Sequence, residues 1–330
     1  MRKKFLVVGA GGRTGILFTE ELQRAAEVVG VGREAMVARV ADGSILVSID
    51  GQKPTKPNFT IIPDTQLGTD IEANFILLAT KNPVGEAIRH YYQSINITHI
   101  PDLILPQNGL SVAEEAYPVL KEIFGSKVAN IRIIRVSLFN AVSSATVDNV
   151  SIISYSHPIR LSLGVAYGDD NVSDLAEILS SAGVEAYPVS KAHTKDMEYS
   201  KLFTNLIGVA SFANGKSIEE GLTDDKCFYD EVSTLKEYVA TVKKNGGSFL
   251  NFKHYPIATL AFIVEKVPFA VLRLFKGSIA KIILKGRGGK QKGNIDEIDY
   301  YNGAVIALAK KVGVETPVNS KIYKMIKEKA

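Results

Sequence analysis

The sequence predicts an α/β domain followed by an all-helical domain. Three observations support this. Short apolar strands alternate with helical patterns from residue 4 to residue 188, as in a doubly wound parallel sheet. Beyond residue 193 only helical patterns follow. At 330 residues the chain is too long for one comfortable core, so two domains are expected, at 1–192 and 193–330.

The first strand and the turn after it indicate a dinucleotide site. A continuous apolar run at residues 5–8 leads into glycines and then into helical spacing from Ile16. Glycines here leave the helix N–H groups open to phosphate and adopt dihedrals that other residues resist. Thr14 stands where G-x-G-x-x-G would place its third glycine, so a tight turn without a ligand remains the alternative. The predicted cofactor contacts are Gly9, Gly11, Gly12, Arg13, Thr14 and Gly15.

The end of the second predicted strand, at residues 27–31, favours NADP over NAD. In this kind of sheet an acidic side chain at that place holds the ribose of NAD, whereas an arginine accommodates the extra phosphate of NADP. Arg33 occupies the place, and no acidic residue precedes it at the strand tip. A solvated loop arginine is the alternative.

The other elements of the first domain follow from the same patterns. We predict helices at 34–40, 83–94, 110–124 and 172–182, strands at 74–80, 103–106, 131–137 and 184–188, and a hairpin-like passage from 44–49 to 59–62. Two further apolar runs, 146–154 and 160–166, are predicted to pair antiparallel and extend the sheet. Lys81 and Asn108 follow strands, and ligands bind at the C-terminal ends of parallel strands. Both are therefore expected beside the cofactor, although asparagine before glycine is also an ordinary turn residue.

Helical patterns fill the second domain. They cover residues 196–214, 227–242, 257–275, 296–312 and 318–327. A helical domain next to an α/β domain predicts a cleft that can hold a second substrate. His193, between the domains, has no partner motif and is expected to be structural.

Composition and charge are those of an ordinary globular protein. The formal net charge of +4 is small for this length and does not argue for nucleic acid. One cysteine, Cys227, excludes an intramolecular disulfide, argues against a cysteine metal site and fits a reducing cytoplasm. No stretch of about 20 apolar residues predicts a transmembrane segment. A homodimer is left open.

Several segments resemble the ketopantoate reductase family. Residues 197–205 are similar to the family helix that carries a lysine and an asparagine four residues apart, here Lys201 and Asn205. Residues 295–304 resemble its T/S-E-[IV]-D-Y-x-N-G segment, and 313–319 match its usual ending. Lys81 and the turn Gln107-Asn108-Gly109 fall where the family has its cofactor-side lysine and its H/Q-N-G turn.

The resemblance implies a Rossmann-type NADP-binding domain and a helical domain of the 6-phosphogluconate dehydrogenase-like type. It also implies NADPH-dependent reduction of a 2-oxo acid, with 2-dehydropantoate as the leading substrate and pantothenate biosynthesis as the setting. Lys201 and Glu297 would be catalytic, the lysine as the acid. Asn205 and Asn108 would bind substrate, and Asn108 and Glu297 would also contact the cofactor.

The residues themselves allow this chemistry. Lys201 and Asn205 share one helix face, so both can point at one small ligand. A lysine is ordinarily charged at neutral pH and can give a proton to a carbonyl oxygen as hydride reaches the carbon. The alternatives are a surface lysine that covers apolar neighbours and a first-turn glutamate favoured by the helix dipole.

Departures from the family concern the substrate. The family has a second asparagine where this chain has Val209, and residues 283–294 lack the serine and aspartate common before the glutamate segment. Reduction of a different substrate, or an NADP-binding regulatory protein without turnover, are therefore the alternative functions. The basic stretch 276–292 is either a solvated helix face with a loop or a contact for an anionic membrane, nucleic acid or larger anionic substrate.

Overall fold

A computed structural model describes residues 2–68, 72–94, 99–287 and 295–329. Its backbone falls into two compact units. The first consists of Met1–Gln107 and Ser111–Thr194, and the second of Asn108–Leu110 and Lys195–Ala330. The short turn Asn108–Leu110 thus belongs by its contacts to the second unit, although the first unit flanks it on both sides in sequence.

The first unit is an α/β unit, as the alternation of patterns predicts. Its strands are β1 (Lys4–Val8), β2 (Glu27–Gly32), β3 (Ile45–Ile49), β4 (Ile61–Pro63), β5 (Phe75–Leu78), β6 (Asp102–Leu105), β7 (Ile133–Leu138), β8 (Ser143–Val147), β9 (Val150–Tyr155), β10 (Arg160–Tyr167) and β11 (Glu185–Pro188). Its helices are α1 (Arg13–Leu22), α2 (Glu34–Asp42), α3 (Gly85–Ser94), α4 (Val112–Phe124) and α5 (Ser173–Ser181).

Eight strands form the main sheet, in the order β11-β10-β7-β6-β5-β1-β2-β4. The strands from β7 to β4 run parallel, and β10 pairs antiparallel with β7. Because side chains alternate along a strand, β1 feeds two cores: Phe5 and Val7 lie in one cluster, Leu6 and Val8 in the other. The predicted doubly wound sheet with an added antiparallel strand is confirmed.

Two predicted pairings are wrong. Residues 146–154 do not pair with β10; they form a hairpin of their own, β8 with β9, that turns at Asp148 and Asn149 with φ of 48° and 65°. Such left-handed pairs are the preferred two-residue hairpin turn. The hairpin-like passage also splits, because β3 pairs with β9 in a separate three-stranded sheet, whereas β4 pairs with β2.

The second unit is helical, as predicted. Its helices are α6 (Thr194–Leu206), α7 (Val209–Ala213), α8 (Ile218–Thr223), α9 (Asp225–Lys244), α10 (Ile257–Lys266), α11 (Phe269–Leu274), α12 (Lys276–Arg287), α13 (Asn302–Val312) and α14 (Pro317–Lys327). The long helix α9 is central, since α7, α8, α10, α11, α13 and α14 all pack on it.

Three of the long predicted helices are interrupted. The pattern 196–214 breaks at Gly208, which has a φ of 91°, and the pattern 257–275 breaks just before α11 at Pro268. The pattern 296–312 begins as a 3₁₀ helix, Ile295–Tyr300, and becomes α-helical only from Asn302. Glu297 therefore lies in the 3₁₀ turn rather than at the start of a long α-helix.

Candidate functional site

The glycine turn connects β1 to α1 and is tied to the neighbouring strand. The N–H groups of Gly9 and Ala10 both donate to the Val31 carbonyl at the end of β2, at 2.8 and 3.0 Å. Gly12 is the N-cap of α1 and has no side chain to cap it, and the first turn of α1 contains no acidic residue. The N–H groups in the first turn of α1 are thus suited to binding an anion.

Different glycines of this turn serve different purposes. A Cβ on Gly15 would lie 2.1 Å from the Gly9 carbonyl oxygen, and one on Gly11 would lie 2.0 Å from the Met36 side chain. Gly9 itself has a φ of 79°. Packing and conformation therefore account for these three. A Cβ on Gly12 would lie 3.3 Å from the Gly9 carbonyl oxygen, so packing requires glycine less strictly here than at Gly15, and the bare backbone fits a ligand that approaches it.

The remaining predicted cofactor residues of the first unit lie at strand ends. Arg33 is exposed, directly follows β2 and is the N-cap residue of α2. Arg13 and Thr14 open α1, Arg13 exposed and Thr14 partly so. Lys81 is exposed three residues after β5.

Two buried polar atoms near the ends of β5 and β6 lack hydrogen-bond partners among the described residues. They are Thr80 Oγ1 and Gln107 Oε1. The amide nitrogen of Gln107 is satisfied, since Nε2 donates to the carbonyls of Leu78 and Thr80 at 2.6 and 3.1 Å. An unmet buried acceptor normally has a partner or a bound molecule. Together with the uncapped start of α1, these atoms are groups that a bound dinucleotide would satisfy.

A buried arginine that sequence reasoning missed fixes the same strand end. Arg135, on β7, is 2% exposed and donates to the carbonyls of Leu105 and Gln107 at 2.6 and 2.8 Å. It thereby holds the chain directly before Asn108. A charge inside the apolar run of residues 131–138 was the available signal.

In the second unit, three predicted site residues are hydrogen-bonded to one another. Asn205 Nδ2 donates to Asn108 Oδ1 at 3.1 Å, and Asn108 Nδ2 donates to Glu297 Oε2 at 3.0 Å. Tyr301, which sequence reasoning missed, donates its hydroxyl to the same oxygen at 2.5 Å. We call Asn108, Asn205, Glu297 and Tyr301 the amide–carboxylate network. Its members come from three separate parts of the sequence.

The turn of Asn108 is shaped to make this contact. Gly109 has a φ of 102°, and a Cβ there would lie 3.0 Å from the Cβ of Tyr300. Only glycine lets the turn approach the 3₁₀ helix Ile295–Tyr300 so closely. The Q-N-G sequence is therefore explained at the backbone level by the approach to the segment that carries Glu297.

Lys201 lies on α6, one turn before Asn205, and is partly exposed. The i,i+4 spacing puts both side chains on one face of α6, the face on which Asn205 meets Asn108.

The helix does not continue beyond Asn205 for another turn, because α6 ends at Leu206 and the chain restarts as α7. The carboxylate of buried Glu231 accepts hydrogen bonds from the N–H groups of Gly208 and Ser211, both at 3.0 Å.

Some of the motif positions are buried. Val209, where the family has a second asparagine, is buried at the start of α7. Asn302 is buried, and its Nδ2 donates to Asn319 Oδ1 at 3.0 Å; Asn319 in turn donates to Glu237 on α9 at 2.7 Å. The asparagines of the motifs at 295–304 and 313–319 therefore join α13, α14 and α9. Residues 288–292 of the basic stretch lie outside the described residues.

A histidine–carboxylate cluster lies at the far end of α1. His157 Nε2 lies 3.1 Å from the Oε1 of buried Glu21, and its Nδ1 lies 2.8 Å from Asp50 Oδ2. Tyr155 also donates to Glu21, at 3.0 Å. Burial alone would lower the pKa of His157, but the hydrogen bond to Asp50 and the Glu21 carboxylate outweigh it and raise the pKa. The hydrogen bond to His157 lowers the pKa of Asp50.

Among the residues that the structure describes, no group of three or more His, Cys, Asp or Glu side chains is arranged to hold a metal ion. Within the same residues, no helix is long and apolar enough to cross a membrane.

The C-terminal sequence is similar to a known protein family. Residues 290–330 match the family described as ketopantoate reductase PanE/ApbA C terminal. The match includes Glu297 and Tyr301, and it also spans both asparagines that join α13 and α14. No curated protein sequence matches the chain.

Solved structures match the fold over nearly the whole chain. A ternary structure of D-mandelate dehydrogenase with NADH and anilino(oxo)acetate has a TM-score of 0.71 at 17% identity, covering 99% of this chain and 97% of that one. A 2-dehydropantoate 2-reductase from Geobacter metallireducens GS-15 has a TM-score of 0.69 at 17% identity, covering 99% and 100%. A PanE/ApbA family ketopantoate reductase from Ralstonia eutropha JMP134 has a TM-score of 0.72 at 13% identity, covering 98% and 97%.

At these identities the structures show the fold alone. The sequence match is confined to the C-terminal residues, where the most specific motif stands. The two findings together confirm the resemblance to the ketopantoate reductase family that the sequence motifs indicate.

Proposed function

We propose that this protein is an NADPH-dependent reductase of 2-oxo acids, with 2-dehydropantoate as the leading substrate. The observation that carries the proposal is the amide–carboxylate network on the lysine face of α6. A 2-oxo acid presents a carbonyl and a carboxylate. A cation, amide donors and an orienting carboxylate on one side of one unit suit such a ligand.

Each residue has a role in this proposal. Lys201 donates a hydrogen bond, and then a proton, to the substrate's carbonyl oxygen. Glu297 and Asn205 hold and orient the oxygen groups of the substrate, and Asn108 links the two. NADPH supplies the hydride. The uncapped start of α1 would hold its diphosphate, with Gly9, Gly11, Gly12, Arg13, Thr14 and Gly15 around it and Lys81 nearby.

Arg33 supports NADPH rather than NADH. It is exposed at the end of β2, next to the strand end whose Val31 carbonyl accepts from the glycine turn. A charge-assisted contact to the 2′-phosphate is worth about 1.5–3 kcal/mol, or roughly ten- to hundredfold in preference. We expect Arg33→Ala to lose most of the preference for NADPH while binding of NADH changes little.

One observation favours a second candidate, a dehydrogenase of another 2-hydroxy acid. Val209 is apolar and buried where the family has an asparagine. The similar D-mandelate dehydrogenase structure holds NADH and anilino(oxo)acetate, which is by its name a 2-oxo carboxylate with an aromatic group. A less polar substrate than 2-dehydropantoate would suit the valine.

Cofactor oxidation followed at the nicotinamide absorbance tests these functions. The full chain is assayed with NADPH and with NADH against 2-dehydropantoate, phenyl-substituted and aliphatic 2-oxo acids. Turnover of 2-dehydropantoate with NADPH supports the first proposal, and turnover of a phenyl-substituted acid in its place supports the second. Tight NADPH binding without oxidation by any member of the panel would contradict both and favour a regulatory protein.

A further inference from the structure

Exposed apolar side chains are concentrated in one part of the second unit. Of the large apolar side chains that are exposed in the described residues, all but Val147 lie on or beside α9 to α12: Tyr229, Phe262, Val271, Leu274, Phe275 and Ile282. Leu274 is 81% exposed and Ile282 is 71% exposed. We call Val271, Leu274, Phe275 and Ile282 the exposed apolar face.

These four residues belong to two packed helices. Val271 and Leu274 are three residues apart on α11, and Phe275 connects α11 to α12, which carries Ile282. Helices α11 and α12 contact each other, and their opposite sides are in the core, where Leu272 and Ala280 pack with residues of α8 and α9. Val271 and Leu274 thus make the outer side of α11 apolar, and α12 exposes Ile282 beside Lys281. A cluster of large apolar side chains that faces water is typical of a contact surface.

The sequence segment that contains this face is rich in cations. Residues 251–284 contain five lysines and arginines but only one acidic residue, Glu265. The rest of the chain has 34 basic and 34 acidic residues, so this segment accounts for the whole net charge of +4. Arg273 and Lys276 contact Asp225 on α9, whereas Lys281 is exposed beside Ile282.

The combination of apolar side chains and cations indicates which partner binds the exposed apolar face. A second copy in a two-fold contact would place the same cations against each other. Nucleic acid would meet the cations but leave Leu274, Phe275 and Ile282 in water. An anionic bilayer satisfies both, since apolar side chains enter the headgroup boundary and cations meet the lipid phosphates.

We propose that the exposed apolar face docks this protein reversibly on the surface of an anionic lipid bilayer. The contact is peripheral, with Val271, Leu274, Phe275 and Ile282 at the acyl boundary. Lys281 lies at the headgroups, and Arg273 and Lys276 together carry one positive charge more than the Asp225 carboxylate that they contact. Burial of the apolar side chains contributes to the affinity for the membrane, and each cation near the surface raises that affinity about fivefold. The electrostatic part weakens as salt is added.

Sedimentation of the full chain with vesicles tests the proposal. The vesicles are phosphatidylcholine alone, or phosphatidylcholine with about one-third phosphatidylglycerol. We expect binding to the anionic vesicles only, lost at high salt. The variant L274E/I282E should reduce the bound-to-free ratio at least about tenfold, because it puts two anions at the boundary. The matched control is Val147→Glu, which changes an exposed apolar residue on β8 and should bind like the parent chain.

A charge variant keeps the test decisive if L274E/I282E fails to fold. Lys281→Glu alters one exposed cation and should weaken binding several-fold without affecting thermal stability. Absence of binding by the parent chain to anionic vesicles overturns the proposal. So do equal binding by all variants, binding to an oligonucleotide in place of vesicles, or a dimer that L274E/I282E converts to a monomer. None of these residues is part of the proposed reductase site, so failure here leaves that proposal unaffected.

Discussion

The glycine turn of the first unit and the amide–carboxylate network of the second are built in opposite ways. The turn is one continuous stretch, Gly9–Gly15, whose useful groups are backbone N–H groups and whose essential feature is the absence of side chains. The network is a set of side chains whose members are 97 and 189 residues apart in sequence. Adding an atom should therefore break the first, and removing one should break the second.

The largest effect should come from the cation beside the network. Lys201→Ala removes the proposed proton donor, and general acid catalysis is worth about a hundred- to ten-thousandfold in rate. We expect turnover to fall by that amount while NADPH binding, measured by fluorescence, stays the same. Lys226→Ala, an exposed lysine on α9, is the control and should keep full turnover. Equal activity of the two variants would remove Lys201 from the mechanism.

The next effect tests the backbone site by adding one methyl group. Gly15→Ala puts a Cβ at 2.1 Å from the Gly9 carbonyl oxygen, so α1 must move away from the turn. We expect a loss of about 1–3 kcal/mol in the free energy of unfolding and at least about tenfold in NADPH affinity. Calorimetry and cofactor titration measure the two.

Gly12→Ala is the matched change for the glycine turn. It should cost less stability than Gly15→Ala, because its Cβ would lie 3.3 Å rather than 2.1 Å from the Gly9 carbonyl oxygen, yet it should still weaken cofactor binding. If Gly12→Ala binds NADPH as tightly as the parent chain, the bare N-cap is not a diphosphate site.

A smaller effect tests the network by removing one oxygen. Tyr301→Phe deletes the hydroxyl that donates to Glu297 Oε2 at 2.5 Å, so the carboxylate is held by Asn108 with one donor fewer. We expect the KM for the 2-oxo acid to rise about tenfold with kcat changed less, since a hydrogen bond to a charged group is worth about 1.5–3 kcal/mol.

Tyr323→Phe removes the same kind of contact elsewhere, from a tyrosine hydroxyl to Asp299 at 2.6 Å on an exposed part of the second unit. Its KM should match that of the parent chain. A similar rise in both variants would mean that general destabilisation, rather than the position of Glu297, is measured.

The smallest effect concerns how α1 is fixed at the end away from the glycine turn. His157 has a raised pKa in the folded protein because of Asp50 and Glu21, against the effect of burial. Its contribution to stability is therefore complete below the unfolded-state pKa of about 6.5 and is lost as the pH rises through the raised folded-state value. At pH 6 the melting temperature of the parent chain should exceed that of His157→Gln. The difference should be about 2–4 °C for each 1 kcal/mol that His157 adds to the free energy of unfolding.

This difference in melting temperature should shrink toward pH 9. His193→Gln is the control, because among the described residues the ring of His193 contacts the Ser190 hydroxyl and no carboxylate. A difference that stays constant between pH 6 and pH 9 would show that the charge on His157 does not stabilise the cluster.

Local structure could be predicted from the sequence where neighbouring residues alone determine it. The order of β1, the glycine turn and α1, and the helical second half, follow from apolar spacing and hold in the structure. Arg33 was assignable to the end of β2 because strand and loop adjoin in sequence. Asn108 could be singled out by its place after a predicted strand, whereas Asn205 and Glu297 were identified through the family resemblance. Nothing local connects Asn108 to Glu297.

Contacts between distant residues account for what was missed. The pairing of β3 with β9 joins residues about a hundred positions apart, and no local pattern reveals it. Tyr301 occupies the variable position of its motif, so its hydrogen bond to Glu297 could not be read from the motif. The breaks at Gly208 and Pro268 had a visible signal, because glycine and proline both interrupt helices.

The short turn Asn108–Leu110 has a consequence for taking this protein apart. By its contacts the turn is counted with the second unit, yet it is encoded inside the first. If the chain is divided after residue 194, the N-terminal fragment contains Asn108, whereas the C-terminal fragment contains Asn205 and Glu297. Neither fragment would carry the complete set, so we expect the two pieces, expressed apart, to recover turnover only when mixed.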